Sequence, residues 1–582
     1  MKEKLSRVLA WFDEYFLFVA ATFLVFFIPL MPKIPLADIL PGYIVRLRSE
    51  DLIVFVLFVI YLIQIWRGKV DWKMPTWQLI AGYVAVGAMS ILSGLLLLKT
   101  IPFEVPAGAS WGLGLLLSSG VHIMKAMLHW ARYIEYFFLA FLFFSSITSK
   151  LKLQIVCVAM LGAVAGIVIY GWGQKYMYWP VFSTMNREFS KGVPLVLTPH
   201  ARVQSTFGGH YDFAAYLVLL LPFTLVMAFS SRRLWSKFGR TAQVLTWLIH
   251  FMGVWGLIIS AARTSIISYL AATLVVFTLS IALSSRSLKR KVGAWFGHQF
   301  AYFLVVGFLV FGWGGDMIER FEHTLDSIQW VHDTYHTANK WRKEFPYLLG
   351  WKEWEQPEGT IAVVVDDFGN NSVLTPTDTQ PAPRPATGTA PVETKPADVY
   401  EDIPDLKTGY DASGNAYLYE ATRTWSVNAE KYGLSMAIRF DVLWPNAIKG
   451  FSRNPLLGSS YGTLTKGDNL SVFTEADSTD CNYLRTLGET GILGFACFYG
   501  ALVVAMWRAW QRRTSQDAWE QMVNVSFLGA MVGILVNALY IDVFAASKVA
   551  FTIWMIVGIF WATNKIIGKS AKLAKNETNS DQ

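Results

Sequence analysis

Residues 212–230 read DFAAYLVLLLPFTLVMAFS, with one carboxylate at the start and no charge in the positions after it. At about 1.5 Å per residue, such a helix reaches roughly 30 Å, the thickness of a bilayer hydrocarbon core. Its apolar character is not confined to one stripe, so it has no aqueous face to present. Working outward, comparable runs lie near Tyr15–Pro32, Leu52–Trp66, Thr76–Leu98, His122–Ser146, Leu153–Gly173, Gln243–Ser260, Thr264–Leu283, His298–Gly314, Leu487–Trp507, Met522–Ile541 and Ala545–Thr563. The pattern predicts an all-α polytopic membrane protein with about 12 transmembrane helices. Composition agrees, with 54% apolar residues, 16% charged residues and a mean hydropathy of +0.38. Those values exclude a secreted disulfide scaffold, a disordered chain and a cytosolic enzyme. Of the three cysteines, Cys157 and Cys497 sit in apolar runs, so neither a disulfide framework nor a thiolate metal site is expected.

An even number of spans puts both termini on one side. Alternate connections hold 23 of the 50 basic residues, among them Arg67, Lys69 and Lys73, then Arg232, Arg233, Lys237 and Arg240. The short connections on the other face hold nine. By the positive-inside rule the richer set is cytoplasmic, and both termini lie inside. The net charge of +8 is thus topology, and no nucleic-acid partner is expected.

One connection differs from the rest. Residues 315–486 separate the ninth and tenth spans on the extracytoplasmic side and carry 15 Lys/Arg against 25 Asp/Glu, so this large loop forms an acidic domain. The chain divides into 1–314 with nine spans, the loop domain 315–486, 487–563 with three spans, and a cytoplasmic tail 564–582. Within the loop, residues 370–404 are rich in Pro, Thr and Ala and read as a disordered spacer. Flanking it, Glu319–Lys343 and Leu434–Phe451 show helical spacing of aromatic and aliphatic residues. The first span follows a basic start but has too long an apolar run and no clear cleavage site for a signal peptide, so it reads as an uncleaved anchor. The polar tail reads as disordered.

Ionisable groups at a membrane rim are costly, and each is a functional candidate. Arg263 interrupts ISAARTSIISYL at a tight hairpin between two spans, where it either snorkels to lipid phosphates or holds an anion. Arg202 lies in RVQSTFGGHYDFAAYL, ahead of Gly208, Gly209 and His210. Glycines before a helix let backbone N–H groups approach an oxyanion that the helix N-terminus also favours; a plain turn with a surface Arg fits the same residues. Arg439 and Asp441 occupy an amphipathic helix in RFDVLWPNAIKGFSRNPLLGSSYG, as a substrate-facing pair or as a solvated face. Asp480 opens DCNYLRTLGETGILG with Asn482 and Tyr483, as a reactive carboxylate or as a simple N-cap. Gly488, Gly491 and Gly494 read as close-packing positions.

These four segments, in this order around one large external loop, resemble the O-antigen ligase and O-antigen polymerase-like family of bacterial membrane glycosyltransferases. The closing VNALYIDVFAASKVAFTIWMIVG fits as well, and the resemblance covers about Ala201 to Gly558. It implies a GT-C-like fold in the bacterial cytoplasmic (inner) membrane and a part in cell-surface polysaccharide biosynthesis. The implied reaction moves a glycan from an undecaprenyl-diphosphate-linked donor to a hydroxyl on a glycan, lipid or protein acceptor, with membrane lipids as the surroundings and with no metal or cofactor. By motif position, Arg202, Arg263 and Arg439 match the family's diphosphate-gripping arginines, with His210, Asn482 and Tyr483 beside the substrate. The ligases carry His-Asn-x-Tyr-Leu where this chain reads Asp480-Cys481-Asn482-Tyr483-Leu484, so Asp480 stands at the histidine's place. The resemblance thus makes Asp480 and Arg439 the catalytic candidates and leans toward the polymerase-type members. A lipid-linked glycan flippase and a catalytically silent glycan-binding relative remain the alternative expectations.

Overall fold

The computed structural model describes residues 11–39, 46–102, 121–185, 189–197, 201–235, 238–283, 287–315, 317–318, 362–365, 371–374, 406–410, 416–420, 434–464 and 478–580. The chain divides into two compact units.

The first unit is a helical bundle. Its long helices are α1 (Phe12–Leu30, opening with a π turn), α2 (Ser49–Trp66), α3 (Trp77–Leu96), α4 (Val121–Ser146) and α5 (Lys150–Tyr176). They continue with α6 (His210–Leu234), α7 (Gly239–Ile259), α8 (Arg263–Ala282) and α9 (Leu288–Trp313). After the short α10 (Trp444–Arg453) come α11 (Asn482–Arg512), α12 (Ala518–Asn537) and α13 (Ser547–Ser580). A helix stands at each of the twelve sequence-predicted positions. Among the described residues, 11 helices are long and apolar enough to cross a membrane. The remaining one, α4, is long enough but carries Lys125, Arg132 and Glu135.

The stretch that opened the sequence reading is the core. Nearly all of the apolar run of α6 is buried among α7, α8 and α12, a position its apolar circumference permits but does not dictate. Lipid offers helices no hydrophobic reason to associate, so close packing has to come from small side chains and polar ties. On α12, a Cβ at Gly529 would come within 2.6 Å of Val276, and one at Gly533 within 2.9 Å of Val218, so both glycines allow α12 to approach α6 and α8.

Ion pairs fasten one end of the bundle. Asp13 takes both Arg67 nitrogens, at 2.6 and 3.0 Å. Lys150 pairs with Asp517 at 2.7 Å, and Lys565 with Asp71 at 2.8 Å. These lysines and arginines belong to the set predicted to share one side, and the residues holding them lie at one end of the bundle.

Helix α11 is broken inside. Gly491 has φ +64° and ψ −167°, and the exposed backbone is paired with the turn 455–460. Ser459 N–H donates to the Gly488 carbonyl at 2.8 Å, Ser460 N–H to Glu489 at 3.1 Å and Ile492 N–H to Pro455 at 2.9 Å. Ser90 adds its hydroxyl to the Glu489 carbonyl at 2.7 Å. Irregular backbone inside a membrane bundle is tolerated where protein satisfies it, and here it is satisfied.

Two expectations change. Residues 443–464 and 478–486, read as loop domain, belong to the bundle unit. The tail read as disordered continues α13 to Ser580, as its Lys, Ala and Leu content and its lack of proline permit. The helical plan is also interrupted by hairpins: β1 (Pro35–Asp38) pairs antiparallel with β2 (Arg46–Arg48).

The second unit comprises residues 198–201 and 343–442. Its described parts are two antiparallel hairpins and a helical stretch. Strand β3 (Ala362–Val365) pairs with β4 (Asn371–Leu374), and β5 (Leu406–Tyr410) with β6 (Ala416–Glu420). Strand β4 therefore falls at the start of the segment read as a spacer, while 375–404 and the predicted helix 319–343 lie outside the described residues. The predicted helix from Leu434 forms, as Leu434–Ile438 followed by a π turn, Arg439–Leu443.

Candidate functional site

The end of the bundle opposite Asp13 and Asp517 gathers the polar groups. Backbone and side-chain hydrogen bonds join three of the segments singled out in the sequence. Val203 N–H donates to the Ile259 carbonyl at 3.3 Å, which lays the segment ahead of α6 against the α7–α8 turn. Asn537 Nδ2 donates to Ser265 Oγ at 3.1 Å, tying α12 to the start of α8. Asn482 N–H donates to the Ala538 carbonyl at 2.9 Å, and Phe544 N–H donates to Asn482 Oδ1 at 3.0 Å.

Arg202, His210, Arg263, Asp480, Asn482 and Tyr483 thus stand at one end of one unit. Arg202 is half-buried and donates to His210 Nε2 at 2.6 Å and to Tyr211 Oη at 3.3 Å. His210, buried as the first residue of α6, therefore accepts through Nε2, which fixes a neutral ring with its proton on Nδ1. Arg263 is exposed as the first residue of α8, after a turn in which Ala261 has φ +49°. Arg439 belongs to the second unit, where it opens its π turn and is buried.

Asp480 does not cap α11. Its own φ is +49°, the N-cap of α11 is Cys481, and the Asp480 carboxylate accepts from Ser478 Oγ at 2.7 Å. Asn482 is fully buried, and Tyr483 Oη donates to the Leu535 carbonyl at 2.7 Å, so both residues fasten α11 to the chain around α12.

The sequence reading missed a second set of charges. Asp542 accepts from Thr479 N–H at 3.1 Å, Cys481 N–H at 3.1 Å and Arg485 at 3.0 Å. Arg485 also pairs with Glu489 at 3.4 Å. Lys548, 1% exposed, donates to the carbonyls of Met31, Thr206 and Pro29 at 2.5, 2.8 and 3.2 Å. Lys33 is buried, pairs with Asp212 at 3.0 Å, and lies near enough to Gly208 that a Cβ there would be 3.1 Å from its ammonium. Burial pulls the Lys33 ammonium below its ordinary range, and neighbouring Arg48 adds to this, while Asp212 works against both. Asp51 takes Arg132 at 2.6 and 3.3 Å.

Signals for these groups were present in the chain. Lys548 interrupts an apolar run, Arg485 and Glu489 are four apart, and His122, Lys125, His129 and Arg132 recur at three- and four-residue spacing on α4. Asp542 stood at a rim between two spans like the other candidates, but nothing local pointed to its partners, which are 57 to 64 residues away in sequence. Among the described residues no group of three or more His, Cys, Asp or Glu is arranged to hold a metal ion. Neither a protein-family model nor a curated protein matches this chain.

Proposed function

We propose that this protein is a membrane glycosyltransferase that moves a glycan from an undecaprenyl-diphosphate-linked donor to an acceptor hydroxyl. The observation that carries the reading is the meeting of the Arg202, Arg263 and Asp480 segments at one end of the bundle, beside the buried Lys33. An anion gripped by Arg263 would also be favoured by the positive end of α8. One near Arg202 and Lys33 would meet the start of α6.

In the reaction, the bond between the anomeric carbon and the diphosphate oxygen breaks and the bond from the acceptor oxygen forms. Negative charge grows on the departing diphosphate. Guanidinium groups stabilise it through paired hydrogen bonds, which gain strength as water is excluded. The acceptor loses its proton to Asp480. The resemblance adds Arg439 to the candidate arginines, and the outer face of the bacterial inner membrane is where such a donor is presented.

The break at Gly491 favours a second reading, translocation of the lipid-linked glycan, because transporters bind at discontinuous helices. Here the broken backbone bonds to 455–460, which leaves those groups engaged within the protein.

Protein reconstituted in vesicles and supplied with polyprenyl-diphosphate glycan separates the two. Transfer predicts longer chains or acceptor-linked glycan, reduced about a hundredfold or more in Arg263→Ala and Arg439→Ala at unchanged folded yield. Translocation without new linkages would replace this reading with the second.

A further inference from the structure

We infer that Ser478 and Asp542 are positioning residues for Asp480, and that the Ser478 hydroxyl couples the two carboxyl groups into one proton-holding unit. The inference rests on the glycosyl-transfer reading for its consequence and on geometry for its existence. Asp542 lies between α12 and α13, and its two oxygens gather the whole turn before α11. Oδ2 meets Ser478 Oγ at 3.0 Å, Thr479 N–H at 3.1 Å and Arg485 Nη1 at 3.0 Å. Oδ1 meets Cys481 N–H at 3.1 Å and Thr479 Oγ1 at 3.2 Å. A carboxylate with this many donors is held in place and holds them in turn.

Between two of those anchors Asp480 adopts a left-handed backbone, uncommon outside glycine though more accessible to Asp than to most residues. Ser478 supplies the local restraint. Its oxygen receives the Asp480 N–H at 3.3 Å and lies 2.7 Å from Asp480 Oδ1, with Asp542 Oδ2 on its other side.

A serine hydroxyl has one proton, yet two carboxyl groups stand within hydrogen-bond distance of this one. With both ionised, only one of the two contacts is a donated bond. Once Asp480 has taken the acceptor's proton, both are satisfied: Asp480 donates to Ser478 Oγ, and Ser478 donates to Asp542. The arrangement therefore accommodates the added proton with no more than a rotation of the Ser478 hydroxyl hydrogen. Proton count is conserved, since the acceptor loses one, the Asp480–Ser478–Asp542 unit gains one, and Arg485 keeps its charge beside Asp542. Among the described residues, the other ionisable groups facing this unit include Glu489 on α11 and, across on α4, His129 and Tyr133 in the field of Arg485.

The test uses the full chain in lipid, with Ser478→Ala, Ser478→Thr and Asp542→Asn. Hydrogen exchange of residues 478–481 reads the clamp without any reaction. Ser478→Ala should speed exchange at Asp480, and Asp542→Asn at Thr479 and Cys481, each by about tenfold. Unchanged exchange in both would overturn the positioning role. Turnover reads the coupling: Ser478→Ala should lower kcat about tenfold or more with the donor KM unmoved, and Ser478→Thr should restore it. Full kcat in Ser478→Ala, or equal losses in Ala and Thr, would overturn the shared proton. Wild-type protein that transfers no glycan sinks the transferase reading and the shared proton's catalytic use with it, while exchange still decides the clamp.

Discussion

Arg202 donates to Nε2 of His210 at 2.6 Å, and this one bond sets what the histidine can do. A ring that accepts from a guanidinium at Nε2 has spent the lone pair a general base would use. His210 is therefore expected to orient Arg202. In His210→Ala the donor KM should rise while kcat falls less than about tenfold. A loss of the ~10²–10⁴-fold in kcat associated with general-base catalysis would assign the proton transfer to His210 instead.

The break in α11 makes a sharper demand. A Cβ on Gly491 would lie 2.4 Å from the Leu456 backbone, and one on Gly458 would lie 2.5 Å from the Glu489 backbone. Both residues also have positive φ, at +64° and +69°. Strain and overpacking of this kind each cost about 1–3 kcal/mol. Gly491→Ala and Gly458→Ala should each cut the yield of monodisperse protein in detergent severalfold, whereas Gly293→Ala, with nothing within 4 Å of its added methyl, should not. Equal yields for all three would mean that the turn 455–460 does not press on α11.

Lys548 gives a stability prediction. Its ammonium satisfies the carbonyls of Pro29 and Met31 at the end of α1, groups that a helix terminus leaves without partners, as well as that of Thr206. Lys548→Met keeps the volume and strands those carbonyls, so thermal unfolding in detergent should show a loss of about 2–4 kcal/mol. A variant as stable as the wild type would show that water or another donor takes over.

What the chain discloses and what it hides follow from range. The positions of the long helices are legible because hydropathy is a local property, but which of them is central is not: residues 212–230 are no more apolar than spans that face lipid. The basic stripe of α4 and the lone Lys548 were readable by the same local rules. The α11 break was half-visible, since Gly491 stands in the sequence but its partner turn 455–460 lies across a poorly patterned stretch. Asp542 was legible only as a rim aspartate between two apolar runs, and its role was not, since the fold alone brings the 478–481 turn onto it. Long-range ties among polar groups leave no period in the sequence, and the candidate site is built mostly of those.

At the opposite end of the bundle, the pairing of Asp517 with Lys150 can be tested without substrate. Burial would raise the Asp517 carboxyl, but the Lys150 hydrogen bond, the backbone N–H groups of Glu520 and Trp519 and the Lys150 charge together hold it below its ordinary range. A carboxyl depressed in the folded state adds stability above its unfolded value, and that contribution disappears as pH falls through the folded one. Asp517 is partly exposed, so solvent screening keeps the contribution small. At pH 7, Asp517→Asn should unfold at a lower temperature than the wild type, because the neutral amide cannot pair with Lys150. The gap should narrow as pH drops below about 4, where the wild-type carboxyl itself becomes neutral. A gap that stays constant down to pH 3 would show that Asp517 acts as an uncharged helix cap and that its pairing with Lys150 contributes nothing.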